Sequence, residues 1–441
     1  MIGVRLGVGH HFSGGFDSSA SAFFTATGIT GATEQQAVNT LVTSLKSAGL
    51  WSKMKAVYPF VTDNRNLLSY TEDFGNGYWG KLNATITTNS ITAPNGTLTA
   101  DTFTGSNATS YIYTNTPISS VGNNTFSIYV KAGSLSSFSL DFASSGLSYG
   151  GTSIINLTTG TAGVITYYGG ASGWTVTVES VNNGWYRCTI GGNIATTQNM
   201  FCEILAASGT LYLWGAQLEK SSTATTYQPI ATTQQSYISS QFKYNLVNPV
   251  DSDAAFRLVF NGGWTMSNQG ATPNGTNGYA DTKYNPNVNG QLNSAHLSYY
   301  SRTNVSLNQV EMGTYGLAAN GHYLLYNFSG TTYASINDIE AASNTITNTT
   351  GFLLGQRVDS STLKYFLRGS LLQTITRAST TRPNTNIVIG AYNLSNNVPN
   401  LFSTKQCAFS SIGDGLSDSE ATAFYNAVQT FQTTLNRQIA P

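Results

Sequence analysis

From about Asn66 onward, apolar and polar side chains alternate with a period of two, in short runs broken by turn dipeptides such as Asn95-Gly96, Gly122-Asn123 and Asn183-Gly184. Phe126, Ile128 and Val130 alternate with Ser127 and Tyr129. Trp174, Val176 and Val178 alternate with threonines, and Leu211, Leu213 and Gly215 with Tyr212 and Trp214. Successive side chains of a strand point to opposite faces, so each run can bury one face and must pair to do so. Strands recur at roughly ten-residue spacing with no helical pattern between them, which predicts an antiparallel sandwich or jelly roll. After a polar Thr/Gln/Ser stretch at 231–240, a second β-rich region opens with Phe256, Leu258, Phe260 and the turn Asn261-Gly262-Gly263. It continues through 297–300, 323–326, 352–354, 365–367 and 387–389, which predicts a second sandwich.

Helical spacing is confined to the two ends. Val38, Leu41, Val42 and Leu45 predict a helix over 33–48, with Thr33 and Gln36 as its capping box. Trp51–Val57 reads as a second short helix stopped by Pro59, and the run Ser18–Ser21 after Gly14-Gly15 as an extended arm. At the far end Ser417 and Glu420 form a capping box before an apolar stripe of Ala421, Phe424, Tyr425, Val428, Phe431 and Leu435. The fold class is therefore mainly β: two antiparallel sandwiches, a short N-terminal helical hairpin and a C-terminal helix.

Composition narrows function. The 441 residues exceed one ordinary core, yet only 9% are charged, and 20 basic residues balance 20 acidic ones. With 12% aromatics the chain folds, and with no net charge it lacks the basic footprint of a nucleic-acid binder. No run reaches the length of a membrane span, and the start shows no secretory signal, so the expected place of synthesis is a cytoplasm. Cys188, Cys202 and Cys407 are odd in number and have no metal spacing, which makes them reduced and buried.

Catalytic signals are sparse. The histidines at 10, 11, 296 and 322 form no metal motif, and no serine elbow is present, so no metal or cofactor is expected. A glycosidase needs two facing carboxylates, whereas Glu72, Asp73, Glu203, Glu219, Asp251, Asp253, Glu311, Asp338, Glu340, Asp414 and Asp418 lie scattered along the chain. Sugar binding asks only for exposed aromatic faces and polar neighbours. Tyr78, Trp79, Tyr167, Tyr168 and Trp174 are candidates in the first sandwich, and Tyr299, Tyr300 and Tyr326 in the second, where adjacent tyrosines should put one ring inside and one out. Trp185 and Trp214 read as core.

Two stretches carry a resemblance. Asn66-Leu67-Leu68, then Asn183-Gly184-Trp185-Tyr186-Arg187-Cys188, then Leu213-Trp214-Gly215-Ala216-Gln217-Leu218-Glu219 with the ending Thr223–Pro229 resemble the carbohydrate-binding-module-like jelly rolls of phage tail and fibre proteins. Gly49–Val61, with Lys243–Pro249 and Ile412–Asp418, resembles phage structural proteins that carry a concanavalin-like (laminin-G-like) sandwich. There the helical lead-in runs straight into the sandwich, so the jelly roll here reads as an insertion. The resemblance implies an arm and hairpin at 1–63 that anchors to a virion, a jelly roll at 64–231 and a closing sandwich at 232–441. Within the Gly-rich arm, Arg5, His10, His11, Phe12 and Phe16 are the candidate anchor residues, a solvated loop being the alternative for His10-His11.

The function expected from all this is a non-enzymatic virion appendage or decoration protein, a tail or head fibre assembled in the host cytoplasm. Its expected partners are other virion proteins, host surface glycans and further copies of itself, a trimer being one form, with neither nucleic acid nor membrane insertion. The competing expectations are a tail-spike polysaccharide hydrolase and a purely structural capsid cement protein.

Overall fold

A computed structural model describes residues 15–305, 307–316, 322–328, 331–338, 342–346, 348–394 and 397–440. The anchor candidates Arg5, His10, His11 and Phe12 lie outside the described residues; Phe16 lies within them, exposed, with its ring 5.1 Å from Phe24. The chain is mainly β and divides into two compact units, one formed by Met1–Asp63 with Ile238–Pro441 and one by Asn64–Tyr237.

The inserted unit is a twelve-stranded antiparallel sheet that doubles back on itself. The turn is made by one long strand, Trp185–Ala206, whose first half pairs with Ile118–Ala132 and Thr175–Ser180 and whose second half pairs with Ser137–Ser144 and Ser110–Thr114. A register shift between Ile194 and Gln198 bends the strand between the two layers. Cys188, Ile190 and Ile194 from one half and Met200, Cys202 and Ile204 from the other point into a single core with Phe126, Ile128, Leu140, Phe142 and Leu213. The three cysteines are free and buried. Asn183 and Gly184, both with positive φ, close the hairpin before Trp185, because a tight antiparallel turn needs left-handed residues there. Gly122-Asn123, expected to be a turn, instead lies inside strand Ile118–Ala132 opposite that bend, so its left-handed glycine serves the bulge.

The other unit is a sandwich backed by helices. One sheet contains Ala295–Ser301, Gly351–Arg357, Thr362–Leu367 and Cys407–Gly413; the second contains Gln309–Tyr315, His322–Phe328 and Thr331–Asp338. A Cβ at Gly355 would lie 2.9 Å from both Ala334 Cβ and Leu325 Cδ2, which shows how closely the two sheets face. Helices Ser18–Thr27, Ala32–Ser47 and Asp418–Thr434 cover the first sheet's other side, where Phe23, Leu41, Val42, Phe424 and Phe431 pack with Tyr300, Phe352, Phe366 and Phe409. A sheet covered on both faces has no polar side, and every residue of 295–301, 351–357 and 407–413 is buried.

Three local expectations are corrected here. Ser18–Thr27 is a helix, not an extended arm: the Asp17 carboxylate accepts the Ser19 N–H at 2.8 Å, and Ala20, Phe23, Phe24 and Thr27 recur at helical spacing on the buried side. Trp51–Val57 is not a helix: after a single turn at Trp51–Lys53 the chain becomes strand Met54–Tyr58, paired with Cys407–Gly413. Its partner is remote in sequence, so local periodicity misread it. The helix at Ala32–Ser47 is capped at Gly31 with no side-chain bond, and Thr33 and Gln36 form no box; Asp63 instead accepts the Thr30 and Gly31 N–H groups at 2.7 and 3.2 Å. The C-terminal capping box is present, with Glu420 N–H donating to Ser417 Oγ at 3.2 Å and Ser417 N–H to the Glu420 carboxylate at 2.7 Å.

Candidate functional site

The second layer of the inserted unit has a partly exposed outer face, on which Tyr111, Tyr113, Phe201 and Glu203 are half-buried and Asp141 is buried. Strands Trp79–Leu82, Ser110–Thr114, the end of Trp185–Ala206, Ser137–Ser144, Gly150–Asn156 and Thr166–Tyr168 lie side by side there. Their registers place Gly80, Tyr113, Glu203, Asp141, Thr152 and Thr166 in one row across the face. Parity fixes which side each occupies: Met200, Cys202 and Ile204 fill the core, so Phe201, Glu203 and Leu205 point outward. Ile112 and Thr114 point in and Tyr111 and Tyr113 out.

Aromatic rings run along one side of this face. Tyr111 and Tyr113 lie 5.4 Å apart between centroids, and Tyr113 and Phe201 6.3 Å apart; all three are half-buried. The Tyr113 ring rests on Gly80, where a Cβ would come within 2.4 Å of it. A side chain at that position would have to displace the ring.

Beside the rings sits a carboxylate pair. Glu203 and Asp141 are directly opposed on neighbouring strands. Burial first, and then the facing Asp141 charge, pushes the Glu203 carboxyl up to about 7. Burial also raises Asp141, while a hydrogen bond from Thr152 Oγ1 works against the rise. Neither carboxylate has a cationic partner among the described residues. Tyr168, two residues from Thr166 on its strand, lies on the same face, and its hydroxyl is raised as well, by burial and then by these two charges. The arrangement offers flat apolar rings next to acceptors and one exchangeable proton.

Of the residues expected from sequence, Tyr168 alone falls on this face. Tyr78 is half-buried against Trp79, at 5.5 Å. Trp79 is buried, stacked on Phe74 at 4.9 Å, with its indole N–H donated to the Tyr70 carbonyl at 3.0 Å. Trp174 is likewise buried, against Phe142 at 5.8 Å. Tyr167 is exposed on the opposite side of its strand, where its hydroxyl accepts the Trp174 N–H at 3.1 Å. Presentation of Trp79 and Trp174 by loops is thus corrected: the flanking glycines and asparagines admit turns that fold these rings inward.

In the helix-backed unit, Tyr299 and Tyr300 are both fully buried, not one in and one out. The Tyr299 hydroxyl donates to the Lys405 carbonyl at 3.0 Å on the sandwich side, and the Tyr300 hydroxyl to Gln429 of the closing helix at 3.1 Å. The Tyr326 side chain lies outside the described residues. Trp185 and Trp214 are buried in a small cluster with Ala93 and Ala100.

Tyr111, Tyr113, Phe201 and Asp141 escaped the sequence reading. The motif Tyr111-Ile112-Tyr113 carries the signal, two aromatics on one face of a strand, but the pairing that aligns it with Glu203 and Asp141 is set by remote strands. Among the described residues no three metal-binding side chains cluster, and no helix is long and apolar enough to cross a membrane.

No family model matches this chain, and no curated protein matches it. Among solved structures it is similar to the botulinum neurotoxin serotype D binding domain, at 11% identity over 39% of this chain and 46% of that one, with a TM-score of 0.28. The receptor binding domain of the botulinum neurotoxin C/D mosaic serotype is similar at 13% identity, over 39% of this chain and 46% of that one, with a TM-score of 0.27. The chain thus spans less than half the length of these structures, and likeness at this level decides nothing about function.

Proposed function

We propose that this chain is a non-enzymatic phage virion appendage whose inserted unit binds host surface glycan on the outer face built from Tyr111, Tyr113, Phe201, Glu203 and Asp141. One observation carries the binding reading: three adjacent half-buried rings lie beside the half-buried Glu203 and the buried Asp141 on one sheet face. The apolar side of a pyranose stacks on such rings, while its hydroxyls donate to carboxylates. Weak single sites suit an oligomeric particle, because many linked copies raise the effective concentration. The phage assignment rests on the two sequence resemblances, and the helix-backed unit, with residues 1–63 in it, is the part that would meet other virion proteins.

Glycan-array and calorimetric binding of the full chain tests this. Tyr113→Ala should weaken the best glycan roughly tenfold, from the loss of a stacked ring and its buried area. Unchanged binding, or no binding of any glycan by the wild type, would reject the site.

A second reading, a polysaccharide hydrolase, is favoured by Glu203 alone, since a carboxyl near 7 is a competent general acid. A retaining pair also needs an ionised nucleophile, and Asp141 is raised too, with no cation to hold its charge among the described residues. Release of reducing ends by wild type but not by Glu203→Gln would establish hydrolysis in place of passive binding.

A further inference from the structure

The first layer of the inserted unit has its own outer face, and a buried arginine sits in it. Arg187 lies opposite Tyr129 on one neighbouring strand and opposite Glu179 on the other. Its guanidinium rests over the Tyr129 ring at 5.4 Å, and Nη2 donates to Ser127 Oγ at 3.1 Å. The residue is only 9% exposed, and its Nε is buried with no hydrogen-bond partner. Arg187 lines a pocket of about 160 Å³ together with Thr175, Thr177, Thr189 and the exposed Glu179. The Thr177 and Thr189 hydroxyls lie 2.7 Å apart on its wall.

We propose that this pocket binds the carboxylate of a uronic-acid-class sugar. A buried guanidinium N–H left unmade is costly, and a planar carboxylate supplies two acceptors that match the guanidinium fork. The Tyr129 ring beneath it and the bond to Ser127 hold the guanidinium in place before any ligand arrives. Glu179, one strand over, repels a compact dianion such as phosphate but accepts hydrogen bonds from sugar hydroxyls, and the threonines serve the remaining ones. A volume of 160 Å³ holds one sugar residue, so the acidic unit is read singly while neighbouring units of a polymer stay in solvent. The pocket is separate from the Tyr113 face and uses none of its residues.

The test is calorimetric titration of the full chain with sodium glucuronate, glucose, acetate and inorganic phosphate. Glucuronate should bind more tightly than acetate, and glucose and phosphate should bind far more weakly. Arg187→Gln should weaken glucuronate by roughly tenfold or more, the worth of a charge-assisted hydrogen bond. Glu179→Gln should lower the preference for glucuronate over acetate, because it removes an acceptor for sugar hydroxyls and a charge that opposes any anion. Because Arg187→Gln removes a packed side chain, methyl resonances of Thr177 and Thr189 in the wild type supply a second reading, and both should shift on adding glucuronate. Glucose binding as tightly as glucuronate, phosphate displacing it, or unmoved threonine resonances would overturn the proposal. Tyr113→Ala should leave glucuronate binding intact, so failure at one face is told apart from failure at the other.

Discussion

The two units treat charge in opposite ways. In the helix-backed unit, carboxylates meet cations. Lys46 with Asp17, Lys53 with Glu420 and Arg257 with Asp251 and Asp253 lie within hydrogen-bonding distance, and these four carboxyls are all held below their usual range, with those cations and nearby N–H donors pulling them down. Two of its buried cations are paired with carboxylates as well, Lys405 with Glu311 and Arg357 with Asp338. In the inserted unit, Glu72, Asp101, Asp141 and Glu203 are all raised, each chiefly by burial. A buried carboxylate that lacks a cationic partner carries a desolvation cost that packing alone does not require. The helix-backed unit sets these carboxylates against cations, whereas those four carboxylates of the inserted unit have no salt-bridge partner among the described residues.

The largest expected effect lies on the helix-backed side of that contrast. Arg437 is fully buried and donates to the carbonyls of Pro59 and Phe60 at 2.7 Å each, of Ala408 at 2.9 Å, and to Gln432 at 2.6 Å. It ties the end of the chain to the strand that follows the N-terminal helices. Arg437→Ala strands those acceptors in the core and should cost about 3–5 kcal/mol. In scanning calorimetry of the full chain it should lower one transition and leave a second in place, which also labels the two units. A single transition moving as a whole would break the comparison.

The next effect is one of pH, and its sign differs between the units. Glu203 titrates near 7 and Asp101 near 6 in the folded chain, above their ordinary values of 4.5 and 3.8. The native state therefore holds more protons than the unfolded one, and this stabilisation is lost as pH rises from about 4 to 7. His296 runs the other way: full burial holds it down to about 4 from 6.5, with its ring nitrogens 2.6 Å from the Asp414 carbonyl oxygen and 3.0 Å from Ser411 Oγ. Its contribution is present above 6.5 and is lost as pH falls toward 4. Acidifying from pH 7 to 5 should thus raise the melting temperature of the inserted unit and lower that of the other. Glu203→Gln should flatten only the first slope; parallel slopes would show that the charge contrast has no energetic weight.

How far the sequence disclosed this follows from how local each signal is. Period-two runs such as Phe126–Val130 depend on nearest neighbours, and they predicted strands that the structure contains. The Ser417 and Glu420 box is a four-residue device and was equally readable. Strand Met54–Tyr58 was missed because its partner, Cys407–Gly413, lies at the other end of the chain. Burial of both Tyr299 and Tyr300 was missed because alternation reports one covered face, and only the docked helices create the second. The candidate faces depend on the same long-range pairing: Tyr113, Glu203 and Asp141 become neighbours only when three separate strands align.

The smallest effect sharpens the comparison most directly, because it asks whether the inserted unit's outer face is shaped for a ligand or merely left over. Gly80 has ordinary backbone angles, so alanine costs it no backbone strain, and its place in a strand gives no reason of its own for glycine. What an added methyl meets is the Tyr113 ring, at 2.4–2.8 Å. The ring is half-buried and free on its solvent side, so it swings outward and the strip from Tyr111 to Phe201 loses its middle member. Gly80→Ala should therefore leave melting of the inserted unit within about 0.5 kcal/mol of wild type, as for other surface changes, while lowering glycan affinity a few-fold. A clear loss of stability with unchanged affinity would make the Gly80–Tyr113 contact a packing detail and remove the aromatic strip from the binding face.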